Sequence, residues 1–276
     1  LTEEKNKKVA IIDFDIYAPG ISYLANFRGE KEGKDYLLGY LLKLFEEKPV
    51  DLYYEKYQEN LYLIPAAQTK NLLEYHKTLT QLSKYLYSLK ISVDERDRSD
   101  ETVADDLYLY IMKSIKEMDL NLDYVFFDSR TGITEVSDIL FSNALDLKVI
   151  VSSFNNQNIK GTNNILEILA NQVGSKHNIL RVLSPKPLNP DDCFKEIYRN
   201  ADLENNLDLR RKFNWNGVEE VSYDKKIVSN DNDVWKEFTD NCDYKKQIIS
   251  IASKIQSICP LENNLKNIIA KIEDEK

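Results

Sequence analysis

Five short runs of apolar residues punctuate the chain: Lys8 to Asp13 (KVAIID), Leu61 to Pro65 (LYLIP), Tyr124 to Asp128 (YVFFD), Leu147 to Ser152 (LKVIVS) and Ile179 to Leu183 (ILRVL). They are continuous rather than alternating. A strand with one wet face alternates apolar with polar, so unbroken runs predict strands covered on both faces, as in a parallel sheet. Between them, apolar residues recur at helical spacing: Leu37, Leu38, Leu41, Leu42 and Phe45; Leu72, Leu79, Leu82, Leu86 and Leu89; Leu107, Ile111, Ile115 and Met118. Two more such segments are Ile159, Ile165, Leu166 and Leu169, and Ile248, Ile251, Ala252 and Ile255. Strand and helix alternate, which predicts an α/β fold with a doubly wound, mostly parallel sheet and helices on both faces.

Two stretches resist this pattern. Ser92 to Asp106 (SVDERDRSDETVADD) reads as a charged, solvated insertion, and Asp191 to Asn241 scatters aromatics among Asn and Asp without a readable period. No internal repeat and no Pro/Gly linker marks a second domain. The expectation is one domain over residues 1–260, followed by a helical tail, 261–276.

Composition narrows the class. With 276 residues, 42% hydrophobic and 30% charged, the chain has a globular balance. Its three cysteines, Cys193, Cys242 and Cys259, are widely spaced, and His76 and His177 are its only histidines. A disulfide scaffold and a Cys/His zinc site are therefore disfavoured, and a reducing cytoplasm is the expected compartment. The net charge of −9 removes the long-range attraction that non-specific DNA binding relies on. No apolar run approaches the roughly 18–20 residues of a membrane span.

The chemistry is expected where strands end, because ligands of open parallel sheets sit beyond the carboxyl ends of the strands. Two ends are acidic: Ile12-Asp13-Phe14-Asp15-Ile16-Tyr17-Ala18-Pro19-Gly20, and Phe127-Asp128-Ser129-Arg130-Thr131-Gly132-Ile133-Thr134. Carboxylates at adjacent strand ends can hold Mg²⁺, usually through its waters, and a following glycine lets a backbone N–H approach a phosphate oxygen. Either site alone also reads as a helix cap or a turn. Together they favour nucleotide chemistry.

DFDIYAPG resembles the switch I region of the ParA/MinD-type P-loop ATPases, and DSRTGIT resembles their Walker B and switch II. Ser153 to Gly161 (SFNNQNIKG) is similar to the strand-to-helix stretch after switch II, and Val221-Ser222-Tyr223-Asp224 with the helix from Tyr244 is similar to the end of that domain. The resemblance implies ATP and Mg²⁺ as cofactors and a nucleotide-dependent homodimer. It implies that Asp15 and Asp128 are catalytic and act on Mg²⁺ through water, with Asp13 supporting Asp15. Gly132 would offer its N–H to the γ-phosphate, and Arg130 and Thr131 would belong to the mobile switch II. Arg130 is equally readable as a surface or interface ion pair.

One family hallmark is not found in these residues: the glycine-rich Walker A loop. The nearest imitation, Gly29-Glu30-Lys31-Glu32-Gly33-Lys34-Asp35, has three residues rather than four between its glycines, carries Asp35 where Ser or Thr binds Mg²⁺, and reads as a charged surface turn. Three accounts are open. The first strand and its loop precede Leu1, the chain is a non-catalytic interaction module of the same fold, or a partner chain supplies the loop. The first is preferred, since LTEEKNKK resembles the tail of the family's first helix.

Other candidates carry less. Neither His76 nor His177 has a Ser or Cys partner at readable spacing, which disfavours hydrolase triads. The tyrosine clusters (Tyr53, Tyr54, Tyr57; Tyr85, Tyr87; Tyr108, Tyr110) lack adjacent Arg/Lys stripes and read as core and rim rather than base-stacking platforms. The amphipathic tail with Leu265, Ile268, Ile269 and Ile272 ends in acids, so it reads as a packing helix or partner contact, not a membrane helix.

Overall fold

A computed structural model of the chain describes residues 6–21, 34–67, 72–94, 103–130, 142, 144–171, 176–186, 192–222 and 242–260. The chain divides into two compact units, Leu1–Ser142 and Asn143–Lys276.

In the first unit, β1 (Val9–Asp13) lies at the centre of a four-stranded sheet, between β5 (Leu61–Ile64) and β6 (Tyr124–Asp128) and parallel to both. Val9, Ala10 and Ile12 are buried, as the unbroken run KVAIID demands of a strand covered on both faces. β4 (Glu55–Gln58) adds an antiparallel edge beside β5. A separate two-stranded parallel pair joins β2 (Lys34–Asp35) to β3 (Asp51–Leu52). Helix α1 (Leu37–Phe45) buries Leu37, Leu38, Tyr40, Leu41 and Leu42, each large side chain contributing on the order of 1.5–3 kcal/mol by leaving water. Its first N–H groups find no side-chain cap. Those of Leu37 and Leu38 instead donate to the carbonyls of Pro65 (3.1 Å) and Ala66 (2.8 Å), so α1 starts against the exit of β5. Helices α2 (Leu72–Asp94) and α3 (Val103–Glu117) complete this unit's described elements.

In the second unit, β7 (Lys148–Ser152), β8 (Asn178–Lys186) and β9 (Asn214–Ser222) form a parallel sheet in that order. Its two faces are covered by different helices. On one side Leu183 packs with Ile159 of α4 (Asn156–Ala170) and with Ile197 and Ala201 of α5 (Asp192–Ala201). On the other, Leu180, Val182 and Val221 meet Ile251 of α7 (Asp243–Ile258), with Tyr244, Ile248 and Ile255 beside them. Alternate residues of β8 thus serve opposite faces, as a doubly wound sheet requires. α4 is capped by Asn155, whose Oδ1 accepts from the Asn158 N–H at 2.8 Å. A short helix, α6 (Leu207–Arg210), is capped likewise by Asn206.

Two sequence expectations are corrected, and one unassigned stretch is resolved into elements. Residues 92–106 are not one loop, because α2 runs to Asp94 and α3 starts at Val103. The unassigned stretch 191–241 contains α5, α6 and β9. In β9 the strand signal is hidden by Glu219 and Glu220, whose charges are met by Lys254 (2.5 Å) and Lys186. Lys34 and Asp35 form β2 rather than part of a solvated turn. The Asp35 carboxylate pairs with Lys43 and sits against α1 so closely that a Cβ on Gly39 would lie 2.9 Å from its Oδ1. Residues 29–33 and the tail 261–276 lie outside the described residues.

Candidate functional site at the β1 and β6 exits

β1 and β6 run parallel and in register, pairing Asp13 with Asp128 as the last residues of both strands. The chain leaves both in the same direction, so the two acidic motifs open at one edge of one sheet. Beyond the ladder, the Phe14 N–H still donates to the Asp128 carbonyl at 2.7 Å. Phe14 is buried and its ring meets Phe127, which in turn meets Tyr108, so an aromatic floor underlies the exits. Phe14 turns inward, while Asp15 is half-buried and Asp128 exposed. Asp13 is fully buried.

Asp15 begins a tight turn. Its Oδ1 accepts from the Ala18 N–H at 3.0 Å, and its carbonyl accepts from the same N–H at 3.2 Å. The turn is held from α2 by the Tyr75 hydroxyl, which donates to the Ile16 carbonyl, and by Ser83, whose Oγ lies 3.4 Å from the Tyr17 hydroxyl. On the β6 side the Ser129 hydroxyl donates to the Arg130 carbonyl at 3.1 Å, and the Arg130 guanidinium sits over the Tyr17 ring, 5.7 Å from its centroid.

The electrostatics follow from this crowding of acids. Partial desolvation raises the Asp128 carboxyl above its ordinary value, and the charge of Asp15 raises it further. Asp15 and Asp128 therefore sense one another, and a cation between them would relieve both. Two carboxylates with exposed or half-exposed oxygens suit a divalent ion that keeps most of its waters. Among the described residues no group of three or more His, Cys, Asp or Glu is arranged to hold a metal directly.

The sequence-derived set divides accordingly. Asp13, Asp15, Asp128 and Arg130 come together at the exits; Thr131 and Gly132 lie outside the described residues. His76 stands on α2 beside the Tyr75 ring. His177 is buried with its Nδ1 3.0 Å from Lys148 Nζ, and neither histidine is at the exits. Tyr53 and Tyr108 are buried and Tyr85 stacks on Phe45, as core and rim residues do. The sequence assigned no part to Tyr17. It stands inside DFDIYAPG, but only its neighbours, Ser83 and Arg130, give it one.

No protein-family model matches the chain, and no curated protein matches it. Solved structures do. A protein assigned to plasmid partition from Borrelia burgdorferi B31, bound to AMPPNP, is 18% identical with a TM-score of 0.56, over 92% of this chain and 88% of that one. A plasmid partition protein from Borrelia burgdorferi is 16% identical with a TM-score of 0.52, over 91% and 87%. The MinD cell division protein of Aquifex aeolicus is 15% identical with a TM-score of 0.47, over 91% and 84%. The chain has an α/β fold like that of these plasmid partition proteins. Among the described residues no helix is long and apolar enough to cross a membrane.

Proposed function

We propose that this protein is an ATP-binding and ATP-hydrolysing switch of the ParA/MinD type, working in the cytoplasm as a nucleotide-dependent homodimer. The observation that carries this reading is the in-register exit of β1 and β6, which gathers Asp13, Asp15 and Asp128 at one sheet edge. Support also comes from the likeness to a fold-mate solved with AMPPNP.

Asp15 and Asp128 would hold Mg²⁺ through its waters, and the ion supplies charge neutralisation for the phosphoryl oxygens. The protein's own part is positioning, which is most of what phosphoryl transfer asks of a catalyst. Asp15, fixed by its turn with Ala18, presents its free oxygen to order a water for attack. Asp13 backs it from inside the sheet. Gly132 would offer its backbone N–H toward the terminal phosphate, and Arg130 and Thr131 would belong to the mobile switch II. One observation favours a second reading, a non-catalytic interaction module: residues 1–276 contain no glycine-rich phosphate loop.

The two readings separate on Asp15→Asn, assayed in the longest natural open reading frame containing these residues. Removing one charge while keeping shape should lower ATP turnover by about 100-fold or more, because positioning and electrostatics are lost together. ATP binding, followed by calorimetry, should weaken far less. No turnover in wild type gives the second reading; equal turnover in variant and wild type removes Asp15 from catalysis.

A further inference from the structure

Among the described residues of the two exit motifs, one is a cation, Arg130. Arg130 follows Asp128 by two residues, as Tyr17 follows Asp15, and a guanidinium two residues from a pair of mutually repelling carboxylates is expected to pair with one of them. Among the described residues it forms no ion pair. Its guanidinium lies instead over the Tyr17 ring at 5.7 Å. Tyr17 is itself anchored, by its hydroxyl beside Ser83 and by the bond from Tyr75 to its neighbour Ile16. The ring, on the turn after β1, is thus a platform held against α2, onto which the Arg130 guanidinium folds.

The energetics make the placement decisive. An exposed cation–π contact and an exposed Arg–carboxylate pair are of similar strength. A small preference therefore chooses where the guanidinium sits. Paired with Asp15 or Asp128, it would neutralise the charge a hydrated divalent ion needs and occupy the same oxygens. Stacked on Tyr17, it leaves those oxygens open.

We propose that Tyr17 is a positioning residue that parks Arg130 off the acidic exits, keeping Asp15 and Asp128 available to a divalent cation and tying the β1 and β6 loops together. This rests on the nucleotide-switch reading for its purpose, but not for its geometry. The contact is weak enough to be exchanged, so Arg130 can leave Tyr17 when a stronger anion arrives.

Two measurements on the full chain test it. In the first, ring-current shifts of the Arg130 side-chain protons are read by NMR without metal or nucleotide. They should be present in wild type and Tyr17→Phe and lost in Tyr17→Leu. In the second, Mn²⁺ alone is titrated as the probe by calorimetry. Tyr17→Leu should bind it about two- to fivefold more weakly, the fold-change that corresponds to an exposed cation–π contact. Tyr17→Phe should keep wild-type affinity, and Tyr17→Leu/Arg130→Gln should recover it, which a merely structural role for Tyr17 would not allow. Absence of the shifts in wild type overturns the proposal, and so does a double variant as weak as Tyr17→Leu. If wild type shows the shifts but binds no Mn²⁺, the contact stands and the nucleotide reading fails.

Discussion

Each unit takes charge out of water, and they do it in opposite ways. In the second unit Arg181, in the middle of β8, is fully buried, and among the described residues it pairs with no carboxylate. Its guanidinium donates to Asn163 Oδ1 (2.8 Å) and the Ala201 carbonyl (3.0 Å), with Ser152 Oγ and the Ile159 carbonyl at 3.5 Å. Burial lowers its pKa to about 10, which leaves it charged at neutral pH. Ala201 ends α5, so the cation meets the negative end of a helix dipole as well as neutral oxygens. In the first unit, three carboxylates collect at two strand exits, and partial desolvation and then the charge of Asp15 raise Asp128. One arrangement surrounds a charge with fixed dipoles and gains a unique packing of β7, β8, α4 and α5. The other leaves like charges unreconciled at an edge, which is tolerable for a site completed by a ligand cation.

The contrast breaks most readily at Arg181. Truncation to Ala leaves a cavity and deprives buried acceptors on two helices of their donor, and should destabilise the second unit by about 3–5 kcal/mol in urea unfolding. Arg181→Met fills the space and should recover part of that, because the lost carbonyl partners cost less than an empty core. At the acidic exits the expectation is reversed: Asp15→Asn, so costly to turnover, should leave stability within about 0.5 kcal/mol, since Oδ1 still accepts from Ala18. Equal destabilisation by Arg181→Ala and Asp15→Asn would erase the distinction.

A smaller effect lies at the other buried pair of the second unit, Lys148 and His177. Burial, with the nearby Lys148 charge, pushes the His177 pKa down from 6.5 to about 4. Between those values the unfolded chain binds a proton that the folded chain refuses, so stability falls as pH falls from 6.5 toward 4. The loss should be on the order of 1–3 kcal/mol across that window. His177→Gln should flatten the profile between pH 6.5 and 5, where carboxylates contribute least; an unchanged slope would assign it to another group.

These charges were unequally legible in the sequence. The strands carrying Asp13, Asp128 and Arg181 stand out because apolar runs buried on both faces need no alternation to be read. The acids announce themselves by position at the ends of two such runs. Their adjacency does not, because parallel pairing joins segments far apart in the chain and nothing in either sets the register of Val9 with Tyr124. Nothing in ILRVL itself tells what meets the Arg181 guanidinium. Its burial depends on Asn163 and Ala201, acceptors on two helices, one of which lay in the stretch with no readable period. β9 was missed for the related reason that Glu219 and Glu220 are paired with lysines from elsewhere. β4, reading Glu-Lys-Tyr-Gln, is an edge strand whose polarity resembles a loop. Tyr17 shows the limit most plainly, since its ring is informative only through Arg130 and Ser83.

The smallest predicted effect is also the most direct probe of the acidic edge. Asp128 stands above its ordinary value of 3.8 first because it is partly desolvated and then because Asp15 is charged. Asp15→Asn removes the second cause and leaves the first. The Asp128 titration, followed by the carboxyl carbon in NMR, should therefore move down in the variant but stay above 3.8. The sign for stability follows: a carboxyl raised in the folded state favours folding most at low pH, and this contribution declines as pH rises through the raised value. The decline should be shallower in Asp15→Asn. Adding Mg²⁺ to wild type should also lower the Asp128 value, since cation and proton compete for the same oxygens, and should lower it less in the variant. If Asp128 titrates identically in both proteins, the two carboxylates do not feel each other and cannot share one hydrated ion. The first unit's exits would then be ordinary turns, and only the buried guanidinium of the second would remain as a charge held for a reason.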